Sequence, residues 1–371
     1  MRANNVMGII YSNAYDDALS ELTSLRTMGS VPFGGRYRFI DFPLSNMVNC
    51  GISKVGIITK SNYRSLMDHL GTGKPWDLSR KRQGIYILPP FNTVDNKMYH
   101  GRIDALSGIM GFINRSTEEY VVLSDCNVIC NIDLSKVLDF HMKNSADITA
   151  VYEHGHPPVL DSNMTYTVSP EGQITKAYVN QKTEKKVNYS LNIFVMRKSL
   201  LERLVVACIN SGKDSFEKNI ILHNVSKLNI MGYKADCFVR SIDSLKSFWQ
   251  ANMDLLNMKN SDDLFCIDRP IYTKTRDEMP AIYGLGSHVK NSLVADGCII
   301  DGEVENCILF RGVRIGKGAV VKNSIIMQDS YISDDTVIDC VITDKSVVIK
   351  PKKQLISTPD YPIYVGKNIV I

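Results

Sequence analysis

The chain has 371 residues, 44% of them apolar, and its 43 basic residues against 39 acidic ones leave a formal net charge of +4. That length exceeds what one hydrophobic core usually supports, so two domains are expected. The near balance of charge, with no basic run interleaved with aromatics, excludes the footprint of a nucleic-acid binder but suits small anionic ligands.

Met1–Ile10 carries no leader-like apolar stretch, and no run of about eighteen apolar residues follows it, so a soluble, cytoplasmic protein without a membrane partner is expected. Val6–Tyr11, Lys54–Thr59, Tyr120–Ser124 and Ile148–Tyr152 read as strands alternating with helical patterns, which indicates an α/β sheet over residues 1–260. A polar stretch with Asp262, Asp263, Pro270, Pro280 and Gly284 predicts a linker over 261–284.

Residues 285–371 repeat. The phrase Val-x-Asn-(Ser/Cys)-(Leu/Ile) begins at Val289, Val304 and Val321, with a looser copy from Val337. A second phrase, a turn residue followed by x-x-Ile/Val, is interleaved from Gly297, Gly312, Asp329 and Lys345. Both run at spacings of 15, 17 and 16 residues. Short strands broken by turn residues at a fixed period predict a parallel β-helix, in which each coil buries its aliphatic face against the next. Many such solenoids are histidine-dependent acyltransferases, but the only histidine here is His288, at the entrance. The nine cysteines form no CxxC pair and no cluster with histidine, so reduced thiols are expected, several in apolar runs at Cys130, Cys208, Cys298 and Cys307.

The segment Val31-Pro-Phe-Gly-Gly-Arg-Tyr-Arg-Phe-Ile-Asp-Phe-Pro-Leu-Ser-Asn46, followed by Asn49-Cys-Gly-Ile52, closely resembles the start of bacterial ADP-glucose pyrophosphorylases. Tyr99-His-Gly-Arg-Ile-Asp-Ala105 resembles that family's YRGTADA, Leu123-Ser-Asp125 its AGD, Ser190-Leu-Asn-Ile-Phe-Val195 its SMGIYVF, and Phe248-Trp-Gln-Ala-Asn-Met-Asp-Leu255 its YWxANxDL. The resemblance implies a Rossmann-like nucleotidyltransferase domain with a mainly parallel sheet, followed by a left-handed parallel β-helix. It also implies a reaction, ATP plus glucose 1-phosphate giving ADP-glucose and pyrophosphate with magnesium. Gly101, Asp104, Asp125 and Ser190 become substrate-pocket candidates.

Positioning two polyanions and neutralising the leaving pyrophosphate calls for glycine-rich backbone, an arginine, a lysine and two metal-holding carboxylates. Counted without gaps, the family's GGxGTRL falls on Asn13-Ala-Tyr-Asp-Asp-Ala-Leu19, so Ala18 stands for the arginine and Asp16 and Asp17 bring negative charge. Met28 stands for the lysine of RAKPA, and Gln181 for the lysine of FxEKP, with Lys182 one residue out of step. Of the metal-holding aspartates the first is Asp125, while Ser241 replaces the second and Asp243 lies two residues on, offering a shifted metal ligand.

These losses make the chain similar to the second, D-type subunit that accompanies a catalytic subunit in some bacteria. The phrases Arg269-Pro-Ile-Tyr-Thr-Lys274 and Ile308-Leu-Phe-Arg-Gly312 also resemble that branch. The resemblance implies glycogen synthesis, a mixed tetramer with a catalytic pyrophosphorylase, no cofactor for this chain, and magnesium for the partner. Arg26, Arg36 and Arg38 are the cations expected to hold a phosphorylated effector between the domains. The alternatives are a competent nucleotidyltransferase with an altered phosphate loop and a pure interaction scaffold. The run Arg80-Lys-Arg82 reads as a solvated loop, the pair His154 and His156 as an exposed turn, and Lys60 as a surface lysine.

Overall fold

The computed structural model describes residues 5–81, 83–90, 99 and 101–371; Arg82 of the basic run and His100 lie outside the described residues. Nine strands build the main sheet: β1 (Val6–Tyr11), β2 (Lys54–Ile58), β3 (Gly84–Leu88), β4 (Tyr120–Asp125), β5 (Ile148–Gly155), β6 (Met164–Val168), β7 (Ile174–Val179), β8 (Val187–Arg197) and β9 (Ile230–Lys234). β3, β2, β1 and β4 run parallel in that order, and β8 joins β4 antiparallel. Every residue of β1 is buried, as expected for the central strand of a sheet covered on both faces. The strand expected to end at Ser124 continues to Asp125, because Tyr11 pairs with Asp125 at the end of the β1–β4 ladder. Similarly, β5 runs three residues past the expected Tyr152, its extension pairing with Val187–Tyr189.

β8 carries a register shift between Ser190 and Phe194, with Asn192 in the left-handed region at φ 55°. Asparagine tolerates that conformation, and the Asn192 N–H donates to Ser190 Oγ at 3.0 Å. The bulge turns the Asn192 side chain towards Tyr15, its Nδ2 donating to the phenol oxygen at 3.1 Å.

From Ile282 onwards the chain winds through three parallel five-stranded sheets, the solenoid that the repeat predicts. Its first strand, Ile282–Tyr283, pairs with Ile299–Ile300, three residues before the expected domain start at 285. The asparagine of the first repeated phrase is the corner residue. Asn291, Asn306 and Asn323 have φ of 44°, 54° and 44°, and each Nδ2 donates to the next side chain along, ending at Asp339. The fourth copy is shifted by one residue: Val321 pairs with Ile338, and Cys340 takes the left-handed corner. Ile332 likewise pairs with Ile349 where the phrase in the sequence points to Val348.

The two domains share one apolar core, in which Phe33, Phe39, Phe42 and Phe248 join Ile308, Phe310, Ile325, Met327 and Ile342 of the solenoid. Gly34 and Gly35, at φ 58° and 81°, make the tight turn between Pro32–Phe33 and Tyr37–Arg38 and bring backbone against Leu309 of the solenoid. The expected linker is helical as far as Leu264 and then strapped down. Asn131 Nδ2 donates to the carbonyls of Leu264 and Arg269, both at 2.8 Å, and the Tyr272 N–H donates to Ser45 Oγ at 2.9 Å. A large apolar interface and a pinned linker hold the domains in one arrangement.

Candidate functional site: an acidic cleft and a cationic seam

A cleft of about 1210 Å³ opens beyond the carboxyl ends of β1 and β2, where ligands bind in open α/β sheets. The segment Asn13–Ala18 forms its upper wall, Lys60 and Ser61 one side, and Pro157–Asn163 with Asn180–Glu184 the other. Among the described lining residues, seven carboxylates face four cations, the reverse of what a triphosphate requires.

The loop after β1 is fixed in place by its own residues. Tyr15 sits at φ 63°, a strained position for an aromatic residue, where the family pattern has a glycine-rich loop. Asp16 Oδ1 accepts the Met28 N–H at 2.8 Å, and Oδ2 accepts Asn13 Nδ2 at 2.5 Å. Burial pushes the Asp16 carboxyl up to about 6, against those two hydrogen bonds. Ala18 lies in the short turn Asp16–Leu19 and lines the cleft without a charge. Met28, fully buried, packs into the apolar core, so the position expected to carry a lysine serves as core.

At the floor, Arg102 bridges two buried carboxylates. Its Nη2 donates to Asp125 Oδ2, and its Nε lies 3.3 Å from Glu217 Oε1. The same Nη2 reaches the Tyr15 phenol oxygen at 3.3 Å, and the guanidinium lies 5.2 Å from the centre of the Tyr11 ring. Burial raises the Asp125 carboxyl to about 6, Arg102 opposing it; the carboxylates and phenols around Arg102 outweigh its own burial and keep it charged. Asp125, expected as a metal ligand, is therefore the partner of an arginine.

Asp243 is corrected as well. The strand Val239–Ser241 ends before it, and its carboxylate is used by the chain itself. Its Oδ2 accepts the Val159 N–H at 2.7 Å and its Oδ1 accepts Ser244 Oγ at 2.9 Å, which pins a loop of the cleft rim. Among the described residues no group of three or more His, Cys, Asp or Glu is placed to hold a metal ion. The magnesium that the resemblance implies does not fit this donor set.

Gln181 lies past the end of β7, accepting Thr165 Oγ1 at 2.6 Å, and strand alternation no longer separates it from Lys182: both line the cleft. Gly101 lines it too, and a Cβ there would meet the Asp214 carbonyl at 2.7 Å. Asp104, half-buried, and Ser190, buried and engaged by the bulge, are not among the described lining residues. Lys60 lines the cleft, its N–H donating to Asn13 Oδ1 at 2.7 Å. Tyr15, Arg102 and Glu217 are the functional positions that sequence reasoning missed. The signal for Arg102 was present, as a new charge where YRGTADA has threonine.

The arginines expected to bind an effector lie at the seam between the domains. Arg26 is buried, and its Nη2 donates to both oxygens of Asp344 in the solenoid at 2.8 and 2.7 Å. Asp344 also accepts Tyr364 Oη at 2.9 Å. Arg38 donates to the carbonyl and hydroxyl of Ser65 at 2.6 and 3.0 Å, and burial lowers its pKa to about 10. Burial first, and then the charges of Arg38, Arg26 and Arg276, lower Lys345 to about 7 against the pull of Asp344. Arg36, half-exposed, lies 4.0 Å from Asp296, which Arg311 also approaches at 3.9 Å.

An α/β domain with an acidic cleft beyond the ends of its parallel strands, fused to a parallel β-helix, is the architecture of a sugar-nucleotidyltransferase class of protein. Residues 9–158 match the nucleotidyl transferase family model, and residues 282–358 match the GlmU-like C-terminal hexapeptide model. The glycogen biosynthesis protein GlgD of Bacillus subtilis (strain 168) is 36% identical over 367 residues, 99% of this chain and 97% of that protein. The GlgD of Geobacillus stearothermophilus is 38% identical over 319 residues, 86% and 83% of the two chains. The glucose-1-phosphate adenylyltransferase of Clostridium perfringens (strain SM101 / Type A) is 32% identical over 340 residues, 90% and 87%. The chain belongs to the family of the glycogen biosynthesis protein GlgD and glucose-1-phosphate adenylyltransferase.

Proposed function

We propose that this chain serves glycogen biosynthesis in the cytoplasm as a GlgD-type subunit of glucose-1-phosphate adenylyltransferase, regulatory and with little or no catalysis of its own. The observation that carries the reading is the cleft floor, where Arg102 is committed to Asp125 and Glu217 beneath a loop that presents Asp16 and Asp17. Triphosphate placed there meets carboxylates at close range, each worth on the order of 1 kcal/mol or more of repulsion even in a watery cleft. Removing one transition-state donor typically costs about 100- to 1,000-fold in rate, and here the loop arginine and the RAKPA lysine are both replaced. The metal belongs to the catalytic partner, with which this chain assembles as a heterotetramer.

A phosphorylated metabolite binds at the seam, supported by the positive field that Arg38 and Arg276 put on the buried Lys345 while Arg26 is engaged by Asp344. A subunit without chemistry then biases the shared conformational equilibrium of the complex through that ligand. Lys182 on the cleft wall is the one observation favouring a competent enzyme with an altered loop. The deciding measurement is ADP-glucose formation by the unmodified chain, purified from a host lacking its own pyrophosphorylase. Background rates are expected; a turnover of about 1 per second or more would overturn the non-catalytic reading.

A further inference from the structure

Two buried carboxylates converging at the end of a sheet need a cation, and in this protein the chain supplies one. Asp125 closes β4, and Glu217 opens the separate π-helical segment Glu217–Leu222. Between them, with a side chain only 10% exposed, stands Arg102. The guanidinium is held on three sides at once: by Asp125, by Glu217 at 3.3 Å, and by the face of Tyr11 at 5.2 Å. Tyr15 accepts from its Nη2 at 3.3 Å and receives Asn192 Nδ2 at 3.1 Å, so the strained residue of the loop rests on the arginine. Unlike a divalent ion, an arginine cannot dissociate, and its planar fork satisfies carboxylates in a fixed geometry.

We propose that Arg102 is a built-in replacement for a divalent cation: it occupies the charge site between Asp125 and Glu217, keeps metal out of the cleft, and holds the Tyr15 loop closed. The proposal rests on the non-catalytic reading of this cleft and extends it from missing parts to a part that has been substituted. Removing the guanidinium would leave two carboxylates facing each other at the cleft floor, the donor type that hard divalent cations take. The site should then accept a metal that it now refuses.

The test is Mn2+ uptake by the full chain, read as loss of the free-ion resonance signal and as a metal-dependent rise in melting temperature. The unmodified chain is expected to take up no ion that Asp125→Asn abolishes. Arg102→Ala is expected to take up one ion, on the order of 100-fold more tightly than the unmodified chain, since a repelling unit charge has gone from a few ångströms away. Uptake should vanish again in Arg102→Ala combined with Asp125→Asn. Should Arg102→Ala not fold alone, the neutral Arg102→Gln, which keeps donors towards Asp125 and Tyr15, is measured in the same way. An unmodified chain that itself holds one Mn2+ through Asp125, or folded Ala and Gln variants that hold none, would overturn the proposal. Activity decides neither outcome: ADP-glucose formation speaks to the non-catalytic reading, and metal uptake to Arg102.

Discussion

The cleft and the seam handle buried charge in opposite ways. In the cleft, one arginine answers two carboxylates, and the loop above it spends Asp16 on the backbone of Met28. At the seam, Arg26 donates to both oxygens of Asp344, while Lys345 is lowered to about 7 by burial first and then by the positive field of Arg38, Arg26 and Arg276. Asp41, a carboxylate beside Arg38, is committed to His69 at 2.6 Å and to the Arg38 N–H at 2.9 Å. Charge that is fully answered inside the chain serves structure. Charge crowded at a net excess costs stability unless a ligand relieves it, and so marks the place where an anion would bind.

That contrast breaks first, and with the largest effect, at Arg26. If Arg26 belongs to structure, Arg26→Ala leaves the buried Asp344 without its ion-pair partner and should destabilise folding by about 3–5 kcal/mol, measured by denaturant unfolding. A loss below about 1 kcal/mol would return Arg26 to the ligand-binding set. By the same logic Asp125→Asn in the cleft should cost less, about 1–3 kcal/mol, because Arg102 retains Glu217. Equal costs at the two sites would erase the distinction drawn between a single pair and a bridged one.

Legibility followed how local each determinant is. The solenoid was readable because its asparagine corners recur in the sequence at the period of the coil, and the misread fourth copy is where Cys340, not an asparagine, takes the corner. β1 was readable end to end because a central strand is a continuous apolar run. The departures from the family's loop pattern were readable at Ala18 and Met28. The arginine bridge at the cleft floor was not, because Glu217 reaches Arg102 only through tertiary folding and Tyr15 only through a left-handed turn. Arg26 resembled an effector cation in sequence, yet its partner Asp344 lies 318 residues away.

The smallest expected effect is also the sharpest discriminator, because it asks whether the crowded cations are waiting for an anion. Lys345 is lowered from its ordinary 10.5 to about 7 by burial and by Arg38, Arg26 and Arg276. Above about pH 7 the ligand-free protein therefore carries it neutral. An anion seated among these groups favours the charged form, so binding takes up a proton, and proton uptake becomes harder as pH rises. Affinity should fall from about pH 6 to about pH 8.5, by roughly tenfold for each unit by which the bound anion raises the lysine back. Sulfate is the suitable probe, since its charge is constant over that window whereas phosphate gains charge and would mask the trend. Arg38, lowered only to about 10, stays charged throughout and supplies a binding term that does not vary. Calorimetric titration of the unmodified chain should show the decline, and Lys345→Met should bind sulfate more weakly with a flat profile. Binding that strengthens with pH, or a slope unchanged in Lys345→Met, would mean that the cation excess at the seam answers to some other group and that the anion site lies elsewhere.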